Sequence, residues 1–185
     1  MTMAQGLIFV FGMLSGLVLI CALSWSMLFP SKRIWPPRKF NSAIPMAAWG
    51  LTLAVYASAI GLGFLDWGAR VMPFWLQWII GPLLILAGNL VAWRGAFAIG
   101  LQTTSGAKGE LVTSGLYRYS RNPQYVADIA IFLGLGLLFS STWVWPVVAV
   151  GVIALASAPL AEEPWLRAQY GSDYDDYSAA TRRFF

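Results

Sequence analysis

Residues 114–125 read SGLYRYSRNPQY and run directly into an apolar stretch, so Arg121, Asn122, Pro123 and Tyr125 stand at the mouth of a candidate membrane helix. Asn is a favoured helix N-cap and Pro a favoured first helical residue, and Asn122-Pro123 reads as the start of that helix. A helix start also exposes unpaired N–H groups and a partial positive charge, which together attract an anion. Arg121 adds a full charge that can fork onto a carboxylate. The cap and the anion site can be one object.

Glu162 and Glu163 close a later apolar run, and Pro164 after them again suits a first helical turn. One reading is that the two acids complement a helix N-terminus at an interface. The other is that a tight hairpin of the last two apolar runs returns the pair to the face that carries Asn122. Acidic and basic groups would then converge at one mouth. That mouth suits a zwitterionic ligand, with a carboxylate near Arg121 and a cation or ribose hydroxyls near the Glu pair.

Three further polar residues lie inside apolar runs. Asp128 follows Tyr125 by three residues, about one turn into its helix. An ionisable group there either faces protein or water or snorkels to the interface. Arg94 sits near the end of its run, where snorkelling is the expected use. Asn89 is deeper, where a helix–helix hydrogen bond is expected. Gly134 and Gly136 suit close helix packing.

The composition limits the chemistry severely. The 185 residues include no His and one Cys, Cys21, so His general bases, His-ligated metals, a zinc cluster and an intrachain disulfide are all excluded. Hydrophobic residues make up 58% and charged residues 11%, against about 25% charged in a soluble domain. Mean hydropathy is +0.66. Lipid is the expected solvent.

Five runs approach the roughly 20 residues that cross a bilayer: 6–29, 43–65, 75–100, 123–139 and 143–161. Only Ser140-Ser141-Thr142 separates the last two, which predicts an antiparallel helical hairpin. The first run lacks a basic leader segment and a small-residue cleavage site, and reads as a span rather than a signal peptide. The tail reads as polar, aromatic and helical in its first part. The expected fold is all-α: one membrane-embedded domain, 1–185, with residues 1–74 as N-terminal spans and 101–185 as the motif-bearing part.

Charge asymmetry sets the expected orientation. With the N-terminus outside, Lys32, Arg33, Arg38, Lys39, Arg94, Lys108, Arg118, Arg121, Arg167, Arg182 and Arg183 all fall inside, and only Arg70 falls outside. The motif and the C-terminus are therefore expected on the cytoplasmic side, in what reads as a bacterial cytoplasmic membrane.

ELVTSGLYRYSRNPQY, followed after a two-helix hairpin by EEPWLRAQYGSDYDDYSAATRRF, resembles the integral-membrane methyltransferases. These include isoprenylcysteine carboxyl methyltransferases and phospholipid N-methyltransferases. Their pattern is G-x-Y-x-x-x-R-H-P-x-Y, then Glu-Glu, then G-x-x-Y-x-x-Y, and the likeness covers residues 101–185. The resemblance implies S-adenosylmethionine as methyl donor, bound under the C-terminal segment. By position it would be held by Gln102, Gly109, Glu110, Leu111, Val112, Tyr117, Asn122, Pro123, Gln124, Tyr125, Glu162 and Glu163, beside Arg121 from the charge argument.

Two departures narrow the acceptor. Asn122 replaces the family's usual His, as it does in phosphatidylethanolamine N-methyltransferases, and an amide exchanges no proton near neutral pH. The carboxyl methyltransferases carry a substrate-gripping Arg shortly before the paired Glu, where this chain reads LASAPLA. A lipid amine or another amphiphile is thus expected, from the bilayer, with no nucleic acid and no metal. An amine must lose a proton, and Glu163, then Glu162 and Asp128, are the expected acceptors. The alternatives are an isoprenylcysteine-type carboxyl methyltransferase, a nicotinamide-dependent membrane reductase of related architecture, and a non-enzymatic protein on the same fold.

Overall fold

The computed structural model describes residues 1–68 and 71–184, and every regular element among them is helical. Four helices are long and apolar enough to cross a membrane: α1 (Met3–Leu28), α2 (Ile44–Leu65), α3 (Gly81–Ile99) with its lead-in from Leu76, and α6 (Val144–Tyr170). The expected fourth span is a shorter apolar helix, α5 (Pro123–Phe139), whose 17 residues extend about 25 Å. Two short helices, α4 (Leu101–Thr104) and α7 (Ser172–Ala180), lie outside the bundle. The protein is an all-α, multi-pass membrane protein. Arg70, expected outside, lies beyond the described residues.

Three helix boundaries have a clear local cause. Thr2 and Gln5 form a capping box that starts α1. A π-helical turn, Leu76–Ile80, precedes α3 and coincides with Pro82, which has no N–H to offer the carbonyl four residues back. The α5–α6 connection turns through Ser140 at φ 51°. Ser140 Oγ accepts from the Met72 N–H at 2.7 Å, and Ser141 Oγ donates to Asp66 at 2.5 Å. The serines of that turn are wholly buried because these bonds satisfy them.

α6 is the central strut and packs against α1, α2 and α5. The core joins Val55 and Leu62 of α2, Phe132 and Phe139 of α5, and Val144, Val147 and Val148 of α6. Tyr56 stacks on Phe132 with centroids 4.0 Å apart. The tightest seam is between α3 and α5. Gly81, Gly88 and Gly95 recur every seven residues on α3, and a Cβ on Gly88 would come within 2.7 Å of the Ala127 carbonyl. Gly134 answers from α5: its own Cβ would stand 2.8 Å from the Gly81 carbonyl. Removing side chains here lets two backbones touch, which fixes the register of α5 and with it the height of Arg121 and Tyr125.

Two local expectations are corrected. α6 does not end at the paired Glu; it runs through Pro159 and Pro164 to Tyr170, so Pro164 starts no helix. Asn89 makes no helix–helix bond among the described residues: its amide donates to the Ile85 carbonyl of its own helix at 2.8 Å and is exposed.

Candidate functional site

The hairpin brings the two polar constellations together. Residues at equal distance from the α5–α6 turn lie side by side, so Asn122 and Arg121 sit level with Glu162 and Glu163. Asn122 occupies the N-cap position and Pro123 the first turn of α5, but the Asn122 side chain caps nothing. Its amide instead donates to the Arg183 carbonyl at 3.0 Å, where Ser120 Oγ also donates at 3.3 Å. The Arg121 N–H donates to the Arg182 carbonyl at 3.0 Å. The tail is thereby laid across the start of α5.

Glu163 is buried between two guanidinium groups. Arg183 reaches it with Nε at 2.7 Å and Nη2 at 2.9 Å, and Arg121 Nη2 lies 3.3 Å away. Two cations share one carboxylate, leaving positive charge over. Arg121 is nine-tenths buried and its Nε has no partner among the described residues. A buried donor left this way is costly unless something accepts from it.

Glu162 has different company. Its Oε1 accepts from Trp35 Nε1 at 2.6 Å and from the Tyr125 hydroxyl. Its Oε2 accepts no bond from the described residues. Trp35 comes from the loop between α1 and α2, so three separate parts of the chain fix this carboxylate.

Arg121 and Glu162 both face a cavity of about 130 Å³ whose wall sets charged and hydroxyl groups among apolar and aromatic side chains. Glu110, Leu111, Val112, Tyr117, Asn122, Gln124 and Tyr125 line it as well, together with the aromatic rings of Trp165, Tyr170, Tyr174 and Tyr177. Tyr117 is held by Gln124 Nε2, which donates to its hydroxyl at 2.8 Å, and by Tyr177, whose hydroxyl donates to its carbonyl at 2.6 Å. Burial pushes the Tyr117 hydroxyl up to about 12, outweighing the opposing Gln124 bond, and raises Tyr177 also. These hydroxyls stay protonated at neutral pH.

Several residues named from the sequence stand outside the lining. Gln102 is exposed. Gly109 gives its carbonyl to the Tyr170 hydroxyl at 2.8 Å, and Pro123 is buried in the first turn of α5. Glu163 lies behind Arg121. Asp128 lines a second cavity of about 370 Å³ instead, lying between α1, α2, α5 and α6. That cavity is walled by apolar side chains such as Leu23, Val55, Phe132, Ala154 and Leu155. Thr104, Gln124 and Tyr125 line both cavities and form a common wall.

Sequence reasoning missed Arg183, Trp35 and Thr104 as parts of this site. Arg183 counted only as a charge for topology, and nothing local marks Trp35 or Thr104. Tyr174 and Tyr177 had a signal, the G-x-x-Y-x-x-Y spacing of the tail, without an assigned role.

No solved structure matches this chain. Among proteins of known sequence, the nickel-cobalt-cadmium resistance protein NccN of Alcaligenes xylosoxydans xylosoxydans is 27% identical over 152 residues, 81% of this chain and 68% of its own length. The cobalt-zinc-cadmium resistance protein CzcN of Cupriavidus metallidurans is 30% identical over 57% of this chain and 50% of its own. A steroid 5-alpha-reductase of Solanum lycopersicum is 28% identical over 55% of this chain and 39% of its own. The phospholipid methyltransferase family profile matches residues 76–173, which carry α3, α5, α6 and the wall common to both cavities. Since the match takes in more than half of the residues, the chain belongs to the phospholipid methyltransferase family.

Proposed function

We propose that the protein is an S-adenosylmethionine-dependent methyltransferase acting on an amphiphilic, membrane-borne acceptor, a lipid amine by class. The observation that carries this reading is the pair of unlike cavities with a common wall of Thr104, Gln124 and Tyr125. A polar ligand and an apolar one can meet there without either crossing the other's medium.

The residue types around the smaller cavity suit the groups of the cofactor, of which a space of about 130 Å³ encloses only a part. The unpartnered Arg121 Nε suits a carboxylate, and the Glu110 carboxylate suits an amine or ribose hydroxyls. The tyrosine and tryptophan rings suit an adenine and a sulfonium cation. When bound, S-adenosylmethionine supplies a methyl group already activated on a positive sulfur, so the protein has chiefly to align and to exclude water. Gln124 and Tyr125 set the separation between the two ligands. Glu162, oriented by Trp35 and Tyr125 through Oε1, with Oε2 accepting no bond from the described residues, holds the cationic side of the site. Asp128, on the apolar side, takes the proton that an amine acceptor must lose. Glu163 is the counter-charge of two arginines and is assigned to holding Arg121 rather than to proton transfer.

With the motif end cytoplasmic, the cofactor enters from the aqueous side and the acceptor from the bilayer, all within one domain. Likeness to a steroid 5-alpha-reductase supports one competing reading, a nicotinamide-dependent reductase. Titrating the detergent-solubilised protein with S-adenosylhomocysteine and with NADPH separates the two. Saturable binding of S-adenosylhomocysteine alone is the expected result, and saturable binding of NADPH alone would replace this proposal with the reductase.

A further inference from the structure

The larger cavity contains one carboxylate, that of Asp128, and among the described residues no Lys or Arg lines it. We infer that the acceptor taken there is a phosphate-free apolar amine, bound as a cation on Asp128, rather than a phospholipid or a carboxylic acid. This rests on the methyltransferase reading above and narrows its substrate.

Asp128 lies five residues into α5 beyond Pro123, a depth of about 7 Å along the axis. Its Oδ1 accepts one long bond, from the Tyr56 hydroxyl at 3.3 Å, and its Oδ2 accepts none from the described residues. A carboxylate so weakly satisfied among Leu23, Phe132, Ala154 and Leu155 lacks a partner that an ammonium group would supply. Trp35 and Trp49 line the same space and add aromatic faces that favour a cation.

A phosphoethanolamine headgroup fits this charge pattern badly. Its phosphate stands only two carbons from the nitrogen. With the nitrogen at Asp128, a second anion would enter the apolar walls beside an existing carboxylate, with no cation lining the space to meet it. The basic loop between α1 and α2 contributes Ile34 and Trp35 to the wall. Its four cations, Lys32, Arg33, Arg38 and Lys39, do not line the cavity; Arg33 Nε donates to the Pro36 carbonyl and Arg38 to the Ser31 carbonyl. A carboxylate acceptor meets the same repulsion from Asp128.

The transfer balances with Asp128 alone as base. The bound ammonium gives one proton to the Asp128 carboxylate, which frees the nitrogen lone pair. That pair forms the N–C bond while the C–S bond of the sulfonium breaks and its electrons remain on sulfur as a neutral thioether. The product is an N-methylammonium ion, and Asp128 returns its proton to water as the product leaves.

The test uses the full chain in phosphatidylcholine nanodiscs, with methyl-labelled S-adenosylmethionine and either dodecylamine or phosphatidylethanolamine as acceptor. Dodecylamine is expected to be methylated with a kcat/KM about tenfold or more above phosphatidylethanolamine, the scale of one unpaired buried charge. Asp128→Asn is expected to lower the dodecylamine rate by about 100-fold, the scale of a general base. The same variant should bind S-adenosylhomocysteine as the parent does, which also reports that it is folded. A brominated dodecylamine should quench tryptophan fluorescence in the parent and need about tenfold more ligand in Asp128→Asn. With S-adenosylhomocysteine bound normally, three results overturn the inference alone: phosphatidylethanolamine methylated as fast as dodecylamine, no methylation of dodecylamine, or Asp128→Asn matching the parent in rate and quenching. Failure of the parent to bind S-adenosylhomocysteine overturns the methyltransferase reading and this inference with it.

Discussion

Arg183 grips both carboxylate oxygens of Glu163, at 2.7 and 2.9 Å, and so fastens the C-terminal tail to α6 from twenty residues away. The same Glu163 lies 3.3 Å from Arg121, and the balance among the three sets how much of Arg121's charge is left for a ligand. With Arg183 in place, Glu163 is answered twice and Arg121 keeps an unpartnered Nε.

Arg183→Ala should therefore weaken anion binding although it does not line the cavity. Glu163 would then draw on Arg121 alone, and the tail would lose its anchor. The variant is expected to lose about 1–2 kcal/mol of stability, the scale of a partly exposed charged hydrogen bond, read as a lower Tm in detergent. S-adenosylhomocysteine affinity should fall about fivefold to tenfold in step. Unchanged affinity with a lowered Tm would reduce Arg183 to a fastening of the tail.

Glu162→Gln and Glu163→Gln should separate the two neighbouring carboxylates. Glu163→Gln leaves the buried Arg121 and the partly exposed Arg183 short of one negative charge and is expected to destabilise by about 1–3 kcal/mol. Glu162→Gln keeps its shape and can still accept from Trp35 and Tyr125. It should fold normally and lose about 1.5–3 kcal/mol of cofactor affinity, the scale of a charged hydrogen bond. Thermal melts beside binding titrations distinguish them, and equal effects in both assays would contradict the separate roles.

The α3–α5 seam gives a packing prediction with an internal control. Gly88→Ala drives a Cβ into the Ala127 carbonyl at 2.7 Å and should destabilise by about 1–3 kcal/mol. Gly50→Ala on α2 adds a Cβ that meets nothing within 4 Å and should be neutral or stabilising by up to about 1 kcal/mol. Thermal unfolding of the pair should give shifts of opposite sign or a clear gap.

Orientation is tested with single cysteines in a Cys21→Ser background. Lys39→Cys and Ala179→Cys, at the motif end, should resist an impermeant thiol reagent in intact cells. Val71→Cys, at the other end, should react. Labelling of position 179 from outside would reverse the topology and put the cofactor cavity away from its supply.

Much of the fold was legible because hydropathy and helix length are local properties. The charge-free first run became α1, and the three-residue gap before Trp143 forced the hairpin that brings Arg121 to Glu163. The helix end at Pro164 was misread because proline marks a first turn as readily as it interrupts a long helix. The heptad of Gly81, Gly88 and Gly95 was on the page, but spacing alone does not name the partner helix. Arg183, Trp35 and Asn122 were unreadable in their observed roles for a different reason. Each acts across 20 to 127 residues of sequence, as Trp35 does on Glu162, with no periodicity to announce it. Asp128 was visible as an anomaly in an apolar run. Its place in a separate apolar cavity followed only from how α1 and α2 close around α5.

The central claim is that the cavity between Arg121, Tyr117 and Glu162 holds S-adenosylmethionine. Photochemical crosslinking of methyl-labelled S-adenosylmethionine to the purified protein, followed by peptide mapping, tests it most directly. Label is expected in the peptides that contain Tyr117 and Tyr125 or Trp165 to Tyr177, displaced by excess S-adenosylhomocysteine and reduced about tenfold or more in Arg121→Ala. Label confined to α1 or α2, or label that S-adenosylhomocysteine does not displace, would contradict it.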